Sequence, residues 1–138
     1  MENIDKFTTI TFIKHNNVIL LEFVVNHSVP TSLQWLVSIN ELKDALEQLK
    51  STGTKFGFLF DVQKLGIISL SYMKEFTEIM ASNGPLLETK LYATSAIAKG
   101  SLIKYLFDAI NMLYKTKKPL KLVDNREDAL KFIDANVF

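Results

Sequence analysis

The sequence predicts an α/β fold in which helices pack on a mixed five-stranded sheet, with a single domain over residues 1–138. Segments rich in β-branched and aromatic residues alternate with longer segments whose apolar residues recur at helical spacing. The resulting order of elements is ββαβαβαβα, and strands that alternate with helices favour a largely parallel sheet. With 138 residues, 48% of them hydrophobic, the chain is long enough to bury one core.

The first two strands are predicted at 8–14 (TTITFIK) and 18–25 (VILLEFVV). The residues between them, His15-Asn16-Asn17, suit a tight hairpin because asparagine tolerates the positive φ that such a turn requires. This hairpin supplies the antiparallel edge of the sheet. The second strand is apolar on both faces, so we expect helices to cover it on both sides.

The first helix follows the hairpin. Thr31 and Gln34 form a capping box, and Gly53 is expected to end the helix. Ser38 and Glu41 form a second box, which leaves open a later start. One apolar stripe recurs at three- and four-residue spacing, and its members are Leu36, Ile39, Leu42, Leu46 and Leu49.

The rest of the chain continues the alternation of strand and helix. Its predicted elements are strands at 55–62, 90–97 and 119–124, helices at 71–82 and 101–116, and a last helix that carries the apolar pairs at 129–133. The Asn83-Gly84-Pro85 sequence is expected to stop the helix at 71–82. Asp124 and Glu127 are expected to cap the last helix.

The composition argues against several classes of function. A net charge of +1 provides no global field for nucleic acid, and the absence of cysteine excludes disulfides and thiolate metal sites. The N-terminus, MENIDKFTTI, resembles neither a signal nor a transit peptide. No run of about 18 apolar residues is present, so no membrane span is expected. We therefore expect a cytoplasmic protein without a nucleic-acid partner.

Catalytic and metal-binding patterns are also missing. The two histidines, His15 and His27, have no further ligand at a metal-binding spacing, so no metal site is expected. The sequence contains no G-x-S-x-G or H-E-x-x-H motif and no local nucleophile–base pair. These observations favour a non-enzymatic protein without a cofactor.

A candidate anion-binding loop lies at Lys99-Gly100-Ser101, between a predicted strand and the helix at 101–116. Backbone N–H groups and a lysine at the start of a helix are able to hold a phosphate or a carboxylate. The spacing is not that of a P-loop, so nucleotide hydrolysis is not supported. The alternative is a plain loop and helix cap.

The stretch FGFLFDVQKLGIISLSYMKEF at 56–76 resembles the STAS superfamily of sulfate-transporter and anti-sigma-factor-antagonist domains. Asp61 ends a strand, a short loop follows, and the chain enters a helix at Ser69 and Ser71. The tail PLKLVDNREDALKFI at 119–133 resembles that of STAS/SEC14-like small bacterial proteins. The resemblance covers roughly residues 8 to 135. It implies a STAS-like fold. The missing catalytic patterns and the apolar helix at 101–116 then favour a non-enzymatic regulatory module that works through protein–protein contact.

The resemblance also shows where this chain departs from the family pattern. Phosphorylated antagonists of this fold typically carry Asp-Ser-Ser-Gly at the helix start, with a serine as the phosphate acceptor. The matching tetrad here is Ser69-Leu70-Ser71-Tyr72, so Ser71 holds the acceptor place without the aspartate or the glycine. The alternative role of Ser69 and Ser71 is helix capping, with Asp61 as a structural residue at the strand end.

The helix at 101–116 is apolar around most of its circumference, which packing on a sheet does not require. Four of its residues are expected on the side away from the sheet: Ile103, Phe107, Ile110 and Tyr114. We expect this side to form a homodimer interface, since symmetric dimers are the commonest oligomers. Another protein partner or coverage by neighbouring helices is the alternative.

A second functional hypothesis is a carrier of a small apolar or anionic ligand, similar to a lipid or a nucleotide. The SEC14-like resemblance suggests it. The expected pocket is near the helix at 101–116, lined by Phe58, Phe60, Leu102, Leu106 and Phe107.

Overall fold

The computed structural model describes residues 5–98 and 118–138. Its strands are β1 (Thr8–His15), β2 (Val18–Val25), β3 (Phe56–Asp61), β4 (Leu91–Ile97) and β5 (Leu120–Val123). Its described helices are α1 (Ser32–Thr52), α2 (Leu70–Ser82), α3 (Gly84–Lys90) and α4 (Arg126–Asp134). The predicted helix at 101–116 and the candidate anion-binding loop before it lie outside the described residues.

The five strands form one mixed sheet in the order β1-β2-β3-β4-β5. Strand β1 runs antiparallel to β2, and the remaining neighbours are parallel. The predicted fold class is thereby confirmed. Asn16 and Asn17 have φ of 48° and 66°, the positive values that a two-residue hairpin turn requires.

Helix α1 begins at the first of its two candidate capping boxes. The Thr31 hydroxyl accepts a hydrogen bond from the Gln34 N–H at 3.1 Å, and the Gln34 side chain accepts one from the Thr31 N–H at 2.9 Å. The alternative start at Ser38 is wrong, because Ser38 is buried inside the helix and accepts a hydrogen bond from the Thr8 hydroxyl at 2.7 Å. Gly53, with φ of 66°, ends the helix in the left-handed conformation.

The apolar stripe of α1 requires one correction. Leu36 is 55% exposed, whereas its neighbour Trp35 is 7% exposed and begins the buried stripe. Successive helical residues are about 100° apart around the axis. Trp35 is therefore in line with Ile39 and Leu42, and Leu36 turns away from the core.

Helices cover both faces of the sheet. Helices α1, α2 and α3 bury one face, and their apolar side chains join those of β2 and β3 in the larger core cluster. Helix α4 buries Ala129 and Ile133 against the other face. Strand β2 contributes to both clusters, as its two apolar faces predict.

The segment around Gly84 departs from the prediction. Helix α2 ends at Ser82 as expected, but helix α3 begins at Gly84, with Pro85 in its first turn. Proline has no N–H to donate and a fixed φ that suits this position, so it stops one helix and starts the next. Strand β4 consequently begins at Leu91, and Lys90 belongs to α3.

The cap of the last helix is also different from the predicted one. Asn125 is the N-cap, and its side-chain oxygen accepts a hydrogen bond from the Asp128 N–H at 2.8 Å. The predicted pair, Asp124 and Glu127, is shifted by one residue from this geometry. Glu127 lies in the first turn and forms an ion pair with Lys131.

Candidate functional site

The candidate site lies where β2 and β3 end, because parallel strands deliver their following loops to the same edge of a sheet. The two loops touch each other. The Gly66 N–H donates a hydrogen bond to the Ser28 carbonyl oxygen at 2.7 Å. A Cβ at Gly66 would lie 3.0 Å from that oxygen, so the close approach favours glycine.

Asp61 shapes the beginning of the loop between β3 and α2. Its Oδ1 accepts hydrogen bonds from the Gln63 backbone N–H at 3.2 Å and from the Gln63 side chain at 3.0 Å. This local bonding across two residues is typical of an Asx turn. Asp61, at the end of β3, therefore stabilises the turn with which this loop begins.

The two serines of this stretch lie together at the end of the same loop. Ser69 is the N-cap of α2, and its hydroxyl accepts a hydrogen bond from the Tyr72 N–H at 3.3 Å. The Ser71 hydroxyl lies 3.1 Å from that of Ser69, and both residues are exposed. Capping belongs to Ser69, while Ser71 follows inside the first turn.

The first turns of α1 and α2 are joined through aromatic rings. Trp35 and Tyr72 stack with ring centroids 4.4 Å apart and an interplanar angle of 14°. The Trp35 Nε1–H donates a hydrogen bond to Glu75 Oε1 at 2.6 Å. The Tyr72 ring thus packs the starts of the two helices together.

Apolar side chains are exposed around this end of the sheet. Among the described residues, eight large hydrophobic side chains are exposed, and five of them lie in these two loops or in the first two turns of α1 and α2. We call this set the loop-end surface: Val29, Leu33, Leu36, Ile67 and Leu70. Their exposed fractions run from 54% to 69%.

Comparison with solved structures identifies the fold. An uncharacterized protein of the DUF3478 family from Shewanella loihica, described as having a SpoIIAA-like fold, matches with a TM-score of 0.69. The match covers 96% of this chain and 98% of that one at 19% sequence identity. The chain has a SpoIIAA-like fold. The STAS-like fold expected from the sequence is thereby confirmed.

Two further solved structures show the same fold at lower similarity. An anti-sigma factor antagonist from Mycobacterium paratuberculosis matches with a TM-score of 0.52 at 12% identity, over 92% of this chain and 94% of that one. A putative S41 protease from Bacteroides fragilis matches with a TM-score of 0.53 at 14% identity. There the match covers 88% of this chain and 39% of that one. No family model and no curated protein matches the sequence.

The loop-end surface is not among the sites predicted from the sequence, although the sequence carries one sign of it. From residue 26 to residue 40 there is no Asp, Glu, Lys or Arg. From 62 to 73 the only such residue is Lys64. Depletion of charge together with exposed apolar side chains is typical of the central part of protein interfaces.

Each of the two histidines contacts a different aspartate. His15 Nε2 is 3.0 Å from Asp134 Oδ2, and His27 Nε2 is 2.9 Å from Asp5 Oδ2. Within residues 5–98 and 118–138, no group of three or more His, Asp or Glu side chains could hold a metal ion. No helix in those two ranges has the length and apolar character needed to cross a membrane.

Of the two described residues of the predicted pocket, Phe58 is buried in the core and Phe60 is half-buried against it. Phe58 is 2% exposed, and its ring centroid lies 5.2 Å from those of both Phe56 and Phe60. Phe60 also packs edge-on against Phe23 and Phe76. The rest of that predicted lining, like the predicted interface residues Ile103, Phe107, Ile110 and Tyr114, lies outside the described residues.

Proposed function

We propose that this SpoIIAA-like chain is a non-enzymatic regulatory module that binds another protein through its loop-end surface. The observation that carries the proposal is the clustering of exposed Val, Leu and Ile side chains in the two loops and helix starts at one end of the sheet. The likeness to an anti-sigma factor antagonist supports it, because that protein is named for its action against another protein.

The energetics indicate what kind of interface this is. The residues of the loop-end surface are 54% to 69% exposed, so the further burial of each would contribute roughly 1 kcal/mol. Association costs about 4 kcal/mol or more in lost freedom, so this set alone would give weak binding. The loop-end surface therefore serves as the centre of an interface whose polar rim extends over neighbouring residues.

In this proposal Asp61, Ser69 and Ser71 support the surface without carrying a phosphate. Asp61 folds the loop, and Ser69 caps the helix that bears Leu70 and Tyr72. Phosphorylated antagonists of this fold typically have glycine where this chain has Tyr72, and the Tyr72 ring packs against Trp35. In this proposal, partner binding does not depend on phosphorylation of either serine.

The proposal includes a homodimer. The predicted contribution of Ile103, Phe107, Ile110 and Tyr114 to its interface and the anion-binding role of Lys99-Gly100-Ser101 remain predictions from the sequence. A carrier of an apolar or anionic ligand remains the alternative. It is not favoured by any observation in residues 5–98 and 118–138, where Phe58 and Phe60 pack against other aromatic rings.

A comparison of matched variants tests the proposal. The full chain and its Ile67→Asp and Leu33→Asp variants would be immobilised, and proteins retained from a lysate of the source organism would be quantified. Val137→Asp is the control, because Val137 is also an exposed apolar residue and lies outside the loop-end surface. We expect at least one stoichiometric partner that is retained by the wild type and Val137→Asp and lost with both other variants. Equal retention by all four chains would contradict the proposal.

A further inference from the structure

Strand β1 forms one edge of the sheet, and within the described part of the chain it pairs with β2 alone. Its eight residues pair with β2 in continuous register. The strand at the opposite edge, β5, has four residues. Short edge strands are one means by which proteins avoid edge-to-edge association, and β1 does not have this protection.

The residues of β1 also favour pairing with another strand. Five of the eight residues of TTITFIKH are threonine or isoleucine, which are β-branched and suit strands. The segment contains no proline and no glycine, and Lys14 is its one Lys, Arg, Asp or Glu residue. Proline and repeated charge are the usual means of blocking an exposed edge.

The hairpin identifies which backbone groups of β1 face outward. In an antiparallel pair, the N–H and C=O groups of alternate residues point toward the neighbouring strand, and those of the residues between them point away. The Asn26 N–H donates to the Phe7 carbonyl at 2.7 Å, so Phe7 and every second residue after it face β2. The outward set is therefore Thr8, Ile10, Phe12 and Lys14.

We propose that β1 is a homodimerisation strand: two copies of the chain pair their β1 strands antiparallel about a two-fold axis at Thr11. In this register every outward-facing residue is opposite an outward-facing residue of the partner. Thr8 is opposite the partner's Lys14, and Ile10 is opposite the partner's Phe12. The two five-stranded sheets thereby become one continuous sheet.

Neighbouring registers are less favourable. If one β1 strand slides by one residue along the other, its outward-facing N–H and C=O groups would lie opposite groups that already bond to β2. If it slides by two residues, the two-fold axis moves to Ile10 or Phe12. Outward-facing N–H and C=O groups at one end of each strand then have no hydrogen-bonding partner in the other β1 strand. In the proposed register, every outward-facing N–H and C=O group of β1 has a hydrogen-bonding partner in the other β1 strand.

The side chains fit this register as well. The two Lys14 side chains lie at opposite ends of the paired strands, so like charges do not face each other. Phe12 is 37% exposed in the single chain, and the pairing places its ring beside Ile10 of the partner subunit. Aromatic–β-branched pairs and threonine–threonine pairs, such as the one at the axis, stabilise sheets.

This inference rests on the homodimeric part of the proposed function and specifies its surface. Sedimentation velocity of the wild type at tens of micromolar should show a dimer. Phe12→Pro removes an outward N–H that β2 does not use, so the monomer should remain folded. Two hydrogen bonds per dimer are lost, and the dimer dissociation constant should rise about tenfold or more relative to Phe12→Ala, which keeps the N–H.

Cysteine cross-linking tests the register, since the chain has no cysteine of its own. Thr11→Cys places two thiols opposite each other on the axis, with Cα atoms roughly 4.5 Å apart, and oxygen as the oxidant should link them. Thr9→Cys is the control, because Thr9 shares that face of β1 but would lie roughly 13 Å from its counterpart in the partner. Efficient linkage of Thr11→Cys alone, with Phe12→Pro dimerising at least about tenfold more weakly than Phe12→Ala, supports the proposal.

The opposite results separate the two proposals. A wild-type monomer at tens of micromolar overturns both the β1 pairing and the homodimer, and leaves partner binding by the loop-end surface to its own variants. A wild-type dimer in which Thr11→Cys stays unlinked, or in which Phe12→Pro dimerises as tightly as Phe12→Ala, overturns the β1 pairing while the homodimer stands on another surface.

Discussion

Trp35 and Tyr72 stack face to face, with centroids 4.4 Å apart, across the junction of α1 and α2. The Trp35 indole also donates a hydrogen bond to Glu75, one turn along α2 from Tyr72. These contacts fix the starts of two helices that both contribute to the loop-end surface. The Tyr72 ring is thus part of the packing between the two helices.

Removing the Tyr72 ring should destabilise this junction. Tyr72→Ala is expected to lower the free energy of unfolding by about 2–3 kcal/mol, because an aromatic stack and half-buried apolar area are both lost. Tyr72→Phe keeps the ring and should change stability by less than about 0.5 kcal/mol. Urea denaturation followed by Trp35 fluorescence measures both. Equal stability of the two variants would show that the stack is not needed.

The two serines at the start of α2 should differ in their effect on stability. Ser69→Ala removes the N-cap acceptor for the Tyr72 N–H and should cost about 1 kcal/mol. Ser71→Ala should cost less than about 0.5 kcal/mol, since Ser71 is exposed and follows the cap. Thermal unfolding of both variants shows which serine contributes more to stability. Stoichiometric phosphate on Ser71 in intact-mass analysis of the native protein would replace this structural role with a regulatory one.

Local sequence signals predicted local structure well. The Asn16-Asn17 turn and the Thr31–Gln34 box each depend on neighbouring residues, and both are present in the structure. The Asn83-Gly84-Pro85 sequence ends α2 as predicted, but it did not reveal the helix that begins at Gly84, since proline also suits the first turn of a helix. The stripe of α1 was misassigned at its first turn, where tertiary contacts of Trp35 decide which residue is buried.

The loop-end surface was not predicted, because its two parts meet only in the folded chain. Its members are separated by up to about 40 residues along the chain, and the parallel pairing of β2 with β3 brings their loops together. An apolar residue in a sequence carries no sign of its exposure. Leu36 illustrates this, because its spacing matched a buried stripe and its side chain is 55% exposed.

The corrected cap of α4 gives a second pair of variants. Asn125→Ala removes the acceptor for the Asp128 N–H and should cost about 1 kcal/mol of unfolding free energy. Asp124→Ala, one residue earlier and exposed, should cost less than about 0.5 kcal/mol. Chemical denaturation curves of the two variants measure both losses of unfolding free energy. A larger loss for Asp124→Ala would favour the cap expected from the sequence.

Close packing of α4 on the sheet makes Gly57 a sensitive position. A Cβ there would lie 3.0 Å from both Ile133 Cγ2 and Leu20 Cδ2. Gly57→Ala should therefore destabilise the protein by about 1–3 kcal/mol through overpacking. Gly84→Ala is the matched control, since a Cβ at Gly84 has no neighbour within 4 Å. A Gly57→Ala variant as stable as Gly84→Ala would show that the α4 face can relax to accept a methyl group.

Hydrogen exchange of the chain, alone and bound to the protein that its loop-end surface retains, tests the central claim most directly. Amides that become protected on partner binding should map to residues 26–38 and 62–72, the two loops and the starts of α1 and α2. Those of α4, on the opposite face of the sheet, should exchange as in the free chain. Protection concentrated in α4, or unchanged exchange at both loops, would contradict the assignment of partner binding to the loop-end surface.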